Sequence, residues 1–307
     1  MISIPVASEL ILPEIRTRQC RFPTINDGRE TALPSPLYHS SATGIDISPH
    51  SQFPIPNSQF PINKMNFLLV TDLDNTLVGD DKATQVLNQR LQPVRSQICL
   101  IYATGRSHAS TRELIAQKQL LTPDYLIAGV GSEIYQDGSI DLDWAQYLSQ
   151  DWDKMAIASL AQQFPQLKPQ SLKEQNPWKI SYCLEPTLEN SSTIQALQQQ
   201  LTASGLAAQI IFSSNRDLDI LPQTSNKGNA LTYLQKRLQI PSEATLVCGD
   251  SGNDISMFQQ DVRGVIVANA LSELLEWHRE YGTENHYLAG SACASGIMEG
   301  MAYFWDF

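Results

Sequence analysis

Apolar and polar residues follow one another along most of this chain in two rhythms. Short unbroken apolar runs, the pattern of strands buried on both faces of a parallel sheet, fall at Asn66–Thr71, Gln97–Ala103, Tyr125–Ala128, Ala244–Cys248 and Gly264–Val267. Stretches of helical period lie between them, at Ala83–Leu91, Ser107–Gln119, Lys227–Leu238, Ile255–Gln260 and Leu271–Tyr281. Strand followed by helix, repeated, predicts an α/β fold: a doubly wound parallel sheet with its ligands at the carboxyl ends of the strands.

Two regions depart from this rhythm. From about Asp143 to Pro222 the pattern reads as a helix (Trp144–Phe164), a strand (Trp178–Cys183), a helix (Thr187–Ser204) and a strand pair (Gln209–Phe212 and Asp217–Leu221). Sheet-like segments resume after Pro222, so residues 143–222 are expected to form a small α+β module inserted into a core made of residues 65–142 and 223–307. Residues 1–64 show no sustained period, hold 9 of the 17 prolines and end in the near-repeat Ser51-Gln-Phe-Pro-Ile-Pro-Asn57, Ser58-Gln-Phe-Pro-Ile-Asn63. Proline at that density opposes helix and central strand alike, and a disordered leader is expected. Met65 opens directly into the first strand.

Composition narrows the class. The 307 residues are 42% hydrophobic and 17% charged, enough to bury the core of one large domain or two modest ones. The net charge is −11. Five acids (Glu9, Glu14, Asp27, Glu30, Asp46) and five bases (Arg16, Arg18, Arg21, Arg29, Lys64) cancel in the first 64 residues, so the whole charge lies in residues 65–307. A nucleic-acid role resting on a basic face is disfavoured. Cys20, Cys99, Cys183, Cys248 and Cys293 are odd in number and contain no C-x-x-C pair, which predicts reduced thiols rather than disulfides or a zinc site. Pro5, Glu9, Pro13 and Glu14 interrupt any signal-peptide core, and no run reaches the roughly 20 apolar residues that span a bilayer. A cytoplasmic protein without a membrane role is the expectation.

Four motifs carry chemistry, and each falls at a strand or helix end. Phe67–Val70 runs into Thr71-Asp-Leu-Asp-Asn-Thr76, whose paired carboxylates Asp72 and Asp74 share one side of the chain. Such a pair suits a divalent cation or a division of labour between nucleophile and acid/base. Tyr102-Ala-Thr-Gly-Arg-Ser107 offers a hydroxyl and free amides at a helix start, an anion site, although helix capping by Thr104 or Ser107 explains the same residues. In Ser225-Asn-Lys-Gly228 a lysine opens a helix, against the macrodipole; either an anion lies nearby or the lysine is solvated. Leu246-Val-Cys-Gly-Asp-Ser-Gly-Asn-Asp254 ends a strand in Asp250 and Asp254. Carboxylates from two strand ends at one sheet edge predict a hard-cation site, with Mg²⁺ as its occupant.

In this order the motifs resemble those of the haloacid dehalogenase-type phosphohydrolases. The resemblance implies Asp72 as nucleophile and Asp74 as acid and then base. It also implies Thr104 and Lys227 on the transferring phosphoryl oxygens, and Mg²⁺ held by Asp72, Asp250, Asp254 and the backbone carbonyl of Asp74. The inserted module matches in position the cap of the sugar-phosphatase branch.

Further text narrows the branch: Gly131-Ser-Glu-Ile-Tyr135, Lys168-Pro-Gln170, Glu174-Gln-Asn-Pro-Trp-Lys-Ile-Ser-Tyr182, Asp219-Ile-Leu-Pro222 and Asn226-Lys-Gly228. These resemble the sucrose-phosphate phosphatase family from about Met65 to the C-terminus. The resemblance implies sucrose 6-phosphate as substrate and sucrose-phosphate synthase as a partner. It implies substrate contacts from Thr104, Gly105, Arg106, Glu133, Lys168, Gln175, Asn176, Trp178, Lys179 and Asn253. For Trp178 and Tyr182 packing within the module, for Lys168 and Lys179 solvation, and for Asn176 a turn before Pro177 remain open. Two other functions stay open as well: another capped sugar phosphatase (for glucosylglycerol phosphate, mannosylglycerate phosphate or trehalose 6-phosphate), or a non-catalytic synthase-associated module.

Overall fold

The computed structural model describes residues 66–185, 187 and 190–305. The expected leader, residues 1–64, lies outside these residues, as does Cys20. The first part of the core comprises β1 (Phe67–Thr71), α1 (Asp81–Leu91), β2 (Ile98–Ala103), α2 (His108–Lys118), β3 (Tyr125–Ala128), β4 (Glu133–Gln136), β5 (Ser139–Ile140) and α3 (Leu142–Leu148). The chain continues through α4 (Lys154–Ala161), β6 (Lys168–Pro169), β7 (Ile180–Cys183), α5 (Asn190–Ala203), β8 (Ala208–Ser213) and β9 (Asp217–Pro222). It returns to the core with α6 (Lys227–Leu238), β10 (Thr245–Gly249), α7 (Ile255–Phe258), β11 (Arg263–Ile266), α8 (Ser272–Tyr281), β12 (His286–Leu288) and α9 (Cys293–Trp305).

The core sheet runs β12-β11-β10-β1-β2-β3-β4-β5. Its first six strands are parallel, and the β4–β5 hairpin closes one edge antiparallel. β1 is central and apolar from Phe67 to Val70, so alternate residues feed the two faces: Leu69 joins one buried cluster, Leu68 and Val70 the other. Pairing of Thr71 with Cys248 and with Tyr102 ends three strands at one level. The loops after them, which carry the motifs, therefore start side by side.

β6-β7-β9-β8 form a separate antiparallel sheet with its own cluster, in which Ile157, Leu160, Leu197 and Leu201 pack on Ile180, Tyr182, Leu218 and Ile220. The single helix expected over Trp144–Phe164 is two helices. Asp151 takes a left-handed φ of 60° and Asp153 caps α4 by accepting from the Ala156 amide, so the chain turns between them. The first of the two belongs with the core rather than with the insertion, because Trp144 and Leu148 are buried in the core cluster beside Tyr233. The helix expected at Ile255–Gln260 is one turn, and the strand and helix ends elsewhere move by one to three residues. α9 was not expected, because Gly296 and Gly300 oppose a helix in isolation. In place, a Cβ on Gly300 would lie 2.0 Å from Val265 Cγ2, so glycine is what lets α9 settle on the sheet. No helix among the described residues is long and apolar enough to cross a membrane.

Candidate active site

The four motifs converge at the carboxyl edge of β1, β2 and β10. Lys227, the first residue of α6, is completely buried, and its Nζ donates to Asp72 Oδ1 and to Asp254 Oδ1, both at 2.7 Å. The solvated-lysine alternative is excluded. Its approach depends on Gly131, which has φ +91° and where a Cβ would lie 2.3 Å from the backbone C and O of Asn226. Asp254 closes the turn after β10 on itself: its Oδ2 accepts from the amides of Asp250 and Ser251. Thr76, buried and outside the expected site residues, donates to Asp250 Oδ1 at 3.1 Å and ties the first motif to the fourth.

Asp72, Asp250 and Asp254 each offer an oxygen within 4.8 Å of the others, and all three are buried. One ammonium faces three carboxylates, and the imbalance shows in their acidity. Burial, opposed by Lys227 and reinforced by Asp254, holds the Asp72 carboxyl above its ordinary range. Burial, then Asp254 and Asp72, does the same to Asp250. Burial works against the charge on Lys227, but Asp254 and Asp72 outweigh it and hold the ammonium above its ordinary value. A buried, all-oxygen, net-negative donor set fits a hard divalent cation. The carboxylate of Asp74 stands outside this trio.

Asp74 is gripped by Arg106, whose Nε and Nη2 meet its two oxygens at 2.6 and 2.7 Å. Arg106 also donates from its backbone to Thr104 Oγ1 at 3.1 Å. Thr104 is completely buried and does not cap α2; that role belongs to Ser107, which accepts from the Ser110 amide. The capping alternative thus holds for one residue of the pair. Asn253 Nδ2 faces Gly105, at 3.6 Å from where a Cβ would stand, and its Oδ1 is buried without a hydrogen-bond partner.

The residues expected to read the sugar divide into two sets. Glu133 is buried at the start of β4, its carboxyl raised by burial and lowered in part by hydrogen bonds from Tyr135 and Asn176. Asn176 Nδ2 reaches across from the insertion to Ser132 Oγ at 2.7 Å, and Lys179 Nζ reaches the Gly105 carbonyl at 3.1 Å. Asn176 also makes its own turn, accepting from the Trp178 amide. Trp178 packs against the core cluster and donates from Nε1 to Ser149 Oγ. These side chains meet the core. Gln175 and Lys168 are committed within the insertion instead: Gln175 exchanges bonds with the backbone of Ser181, and exposed Lys168 donates to the Pro165 carbonyl. Lys179 is 2% exposed beside Asp219, so it is not the solvated charge of the alternative reading.

Comparison with known proteins agrees with this geometry. The family model for sucrose-6F-phosphate phosphohydrolase matches residues 65–305. A solved sucrose-phosphatase from Synechocystis sp. PCC6803, in complex with sucrose and phosphate, is 49% identical, with TM-score 0.76 over 78% of this chain and 98% of that one. A probable sucrose-phosphatase 2 of Arabidopsis thaliana is 39% identical over 250 residues, 77% of this chain and 59% of its own length. A mannosylfructose-phosphate phosphatase of Agrobacterium fabrum is 34% identical over 77% of this chain and 96% of its own length. The chain thus spans about three fifths of the curated plant relatives it matches. The fold is the haloacid dehalogenase-type α/β core, and with the family match covering every described element, the chain belongs to the sucrose-6F-phosphate phosphohydrolase family.

Proposed function

We propose that this chain is a metal-dependent phosphatase that hydrolyses sucrose 6-phosphate to sucrose and phosphate. The observation that carries this reading is the meeting of Asp72, Asp74, Thr104, Lys227, Asp250 and Asp254 at one sheet edge. The 49% identity to the Synechocystis enzyme supports the substrate.

A phosphate monoester dianion repels an anionic nucleophile, so positive charge must be in place before attack. Lys227 supplies part of it, and by holding Asp72 Oδ1 it leaves Oδ2 to attack. Asp72, Asp250 and Asp254 would hold a divalent cation, Mg²⁺ in this reading. When bound, that cation supplies charge neutralisation and Lewis-acid polarisation at the phosphoryl oxygens. As the Asp72 O–P bond forms, the P–O bond to the fructose C6 oxygen breaks, and protonated Asp74 gives its proton to that oxygen. Water then loses a proton to Asp74 and attacks phosphorus, and the Asp72 O–P bond breaks to release phosphate. Arg106 takes one lone pair on each Asp74 oxygen and so aims the carboxyl, leaving the remaining lone pairs for the proton in either step.

The insertion, from α4 to β9, acts as the cap. Asn176, Trp178 and Lys179 meet the core beside Glu133 and Gly105, which supports closure over the sugar and exclusion of water. The buried free thiols of Cys99, Cys248 and Cys293 support a reducing, cytoplasmic setting. Mannosylfructose phosphate is the second reading, favoured by the Agrobacterium relative. Phosphate release from sucrose 6-phosphate, mannosylfructose phosphate, glucosylglycerol phosphate and trehalose 6-phosphate decides between them. Sucrose 6-phosphate is expected to have the highest kcat/KM, and equal values across the set overturn the assignment.

A further inference from the structure

We infer that Lys179 and Asp219, both in the insertion, are positioning residues for the hydroxyl of Thr104, acting through the single peptide group between Gly105 and Arg106. The inference rests on the reading of Thr104 as a donor to a phosphoryl oxygen.

Lys179 is 2% exposed; its ammonium meets the Gly105 carbonyl at 3.1 Å and Asp219 Oδ1 at 3.3 Å, and its charge also acts on the buried Glu133 carboxyl. A buried ammonium is tolerated only when it is paired and hydrogen-bonded. The β7–β9 register sets Ser181 opposite Asp219, and the Ser181 hydroxyl donates to the same Oδ1 at 2.5 Å, fixing the carboxylate. The cation is thereby held on the side of the insertion that faces the core. Lys179 reaches the phosphate loop at one atom, the Gly105 carbonyl oxygen.

The other end of that peptide is the Arg106 N–H, which donates to Thr104 Oγ1 at 3.1 Å. Thr104 has no other freedom: its amide is bonded to the Ile127 carbonyl at 2.8 Å, and its carbonyl accepts from Val130 at 3.0 Å. Its hydroxyl oxygen accepts from Arg106, so its one O–H points away from that donor. An ammonium on a carbonyl withdraws electron density across the amide and strengthens the N–H as a donor, so hydrogen bonds in series reinforce one another. The ordered path is Asp219, Lys179, Gly105 carbonyl, Arg106 amide, Thr104 hydroxyl. It couples the seating of the insertion to the orientation of a group that meets the substrate in the core. The ammonium has three N–H donors, so the Gly105 carbonyl and Asp219 leave one for a sugar hydroxyl, and kinetics separate the two roles.

The test is steady-state kinetics of the full chain with Mg²⁺ on sucrose 6-phosphate and on p-nitrophenyl phosphate, which has no sugar. Lys179→Met is expected to lower kcat by roughly tenfold on both substrates, and Asp219→Asn to act in the same direction. In a Thr104→Val background the effect of Lys179→Met on p-nitrophenyl phosphate is expected to shrink to less than about twofold. A higher KM for sucrose 6-phosphate with unchanged turnover of p-nitrophenyl phosphate overturns the inference, because that is the signature of a sugar ligand. An undiminished loss in the Thr104→Val background overturns it too, because the path would not end at Thr104. If Lys179→Met does not fold, as judged by circular dichroism, the near-isosteric Asp219→Asn, which keeps an oxygen for Ser181, carries the same comparison. A wild-type chain active on p-nitrophenyl phosphate and inactive on sucrose 6-phosphate overturns the substrate assignment and leaves the coupling measurable. A wild-type chain active on both, with Lys179→Met unaltered on p-nitrophenyl phosphate, overturns the coupling alone.

Discussion

Removing the hydroxyl of Thr76 is expected to weaken metal binding rather than the chemistry. The side chain is fully buried, and its only role toward the carboxylate trio is a 3.1 Å hydrogen bond to Asp250 Oδ1. Thr76→Val keeps the branched shape and deletes the donor. A hydrogen bond to a charged group contributes roughly 1.5–3 kcal/mol, which at about 1.4 kcal/mol per decade corresponds to a factor of about 10 to 150. That loss falls mainly on the metal-bound form. Without a cation, burial already favours the protonated Asp250 carboxyl, which has less need of the donor. With a cation, Asp250 must be ionised and aimed, and losing the partner of a ligating group typically costs about 10–100-fold in metal affinity. Phosphate release titrated against free Mg²⁺ should therefore show the half-saturating concentration raised by roughly 10–100-fold, with kcat at saturating Mg²⁺ nearly unchanged. Thr76→Ser, which keeps the donor, should restore the wild-type requirement. An unchanged half-saturation, or a kcat lost at every Mg²⁺ concentration, would refute the reasoning.

Asp72→Asn is expected to reduce turnover by roughly a thousandfold or more while the circular dichroism spectrum stays native, since the shape and one oxygen for Lys227 remain; activity within tenfold of wild type removes Asp72 as nucleophile. Gly131→Ala places a methyl 2.3 Å from the Asn226 backbone at φ +91°. It is expected to destabilise the fold by at least ~1–3 kcal/mol and to shift Lys227, so an unaltered urea midpoint contradicts the packing described. The folded state keeps protons on Asp72 and Asp250 above their ordinary pKa of 3.8, whereas the unfolded chain has released them. The contribution of these two groups to stability is therefore most favourable below about pH 4 and declines as pH rises toward neutrality. Melting temperature in EDTA should fall between pH 5 and 7.5, and saturating Mg²⁺ should flatten the slope; a rise in EDTA over that interval runs against the charge imbalance.

The parallel core was legible because buried strands are apolar on both faces and leave unbroken runs, as at Phe67–Thr71 and Tyr125–Ala128. The motif residues were legible because each sits at a strand or helix end, where the change of rhythm marks it. Tertiary packing hid the rest. α9 depends on Val265 accepting Gly300 at close range, and the break before α4 depends on one left-handed residue, Asp151. The pairs Thr76 with Asp250 and Arg106 with Asp74 join segments far apart in the chain, and neither residue type announces its partner. Thr76 stood in view within the first motif, yet only the geometry gives its hydroxyl a recipient. Gln175 shows the converse: the resemblance implied a sugar contact, and its bonds are spent on Ser181 and the Gln170 carbonyl.

The pairing of β1 with β10, from Leu68 with Thr245 to Thr71 with Cys248, also sets the order in which this protein comes to life on the ribosome. Asp72 is synthesised early, but Lys227 follows it by 155 positions, and Asp250 and Asp254 come later still. At roughly 5–20 residues per second, that interval lasts on the order of ten seconds or more. During it the strand that will carry Asp72 lacks its neighbour on one side, while the whole insertion, which has its own buried cluster, is made. Closing so long a loop adds only modest entropy, since the cost grows with the logarithm of length. A nascent or truncated chain that stops before β10 therefore carries Asp72 without Asp250 and Asp254, and the three carboxylates meet only when the last fifth of the polypeptide docks.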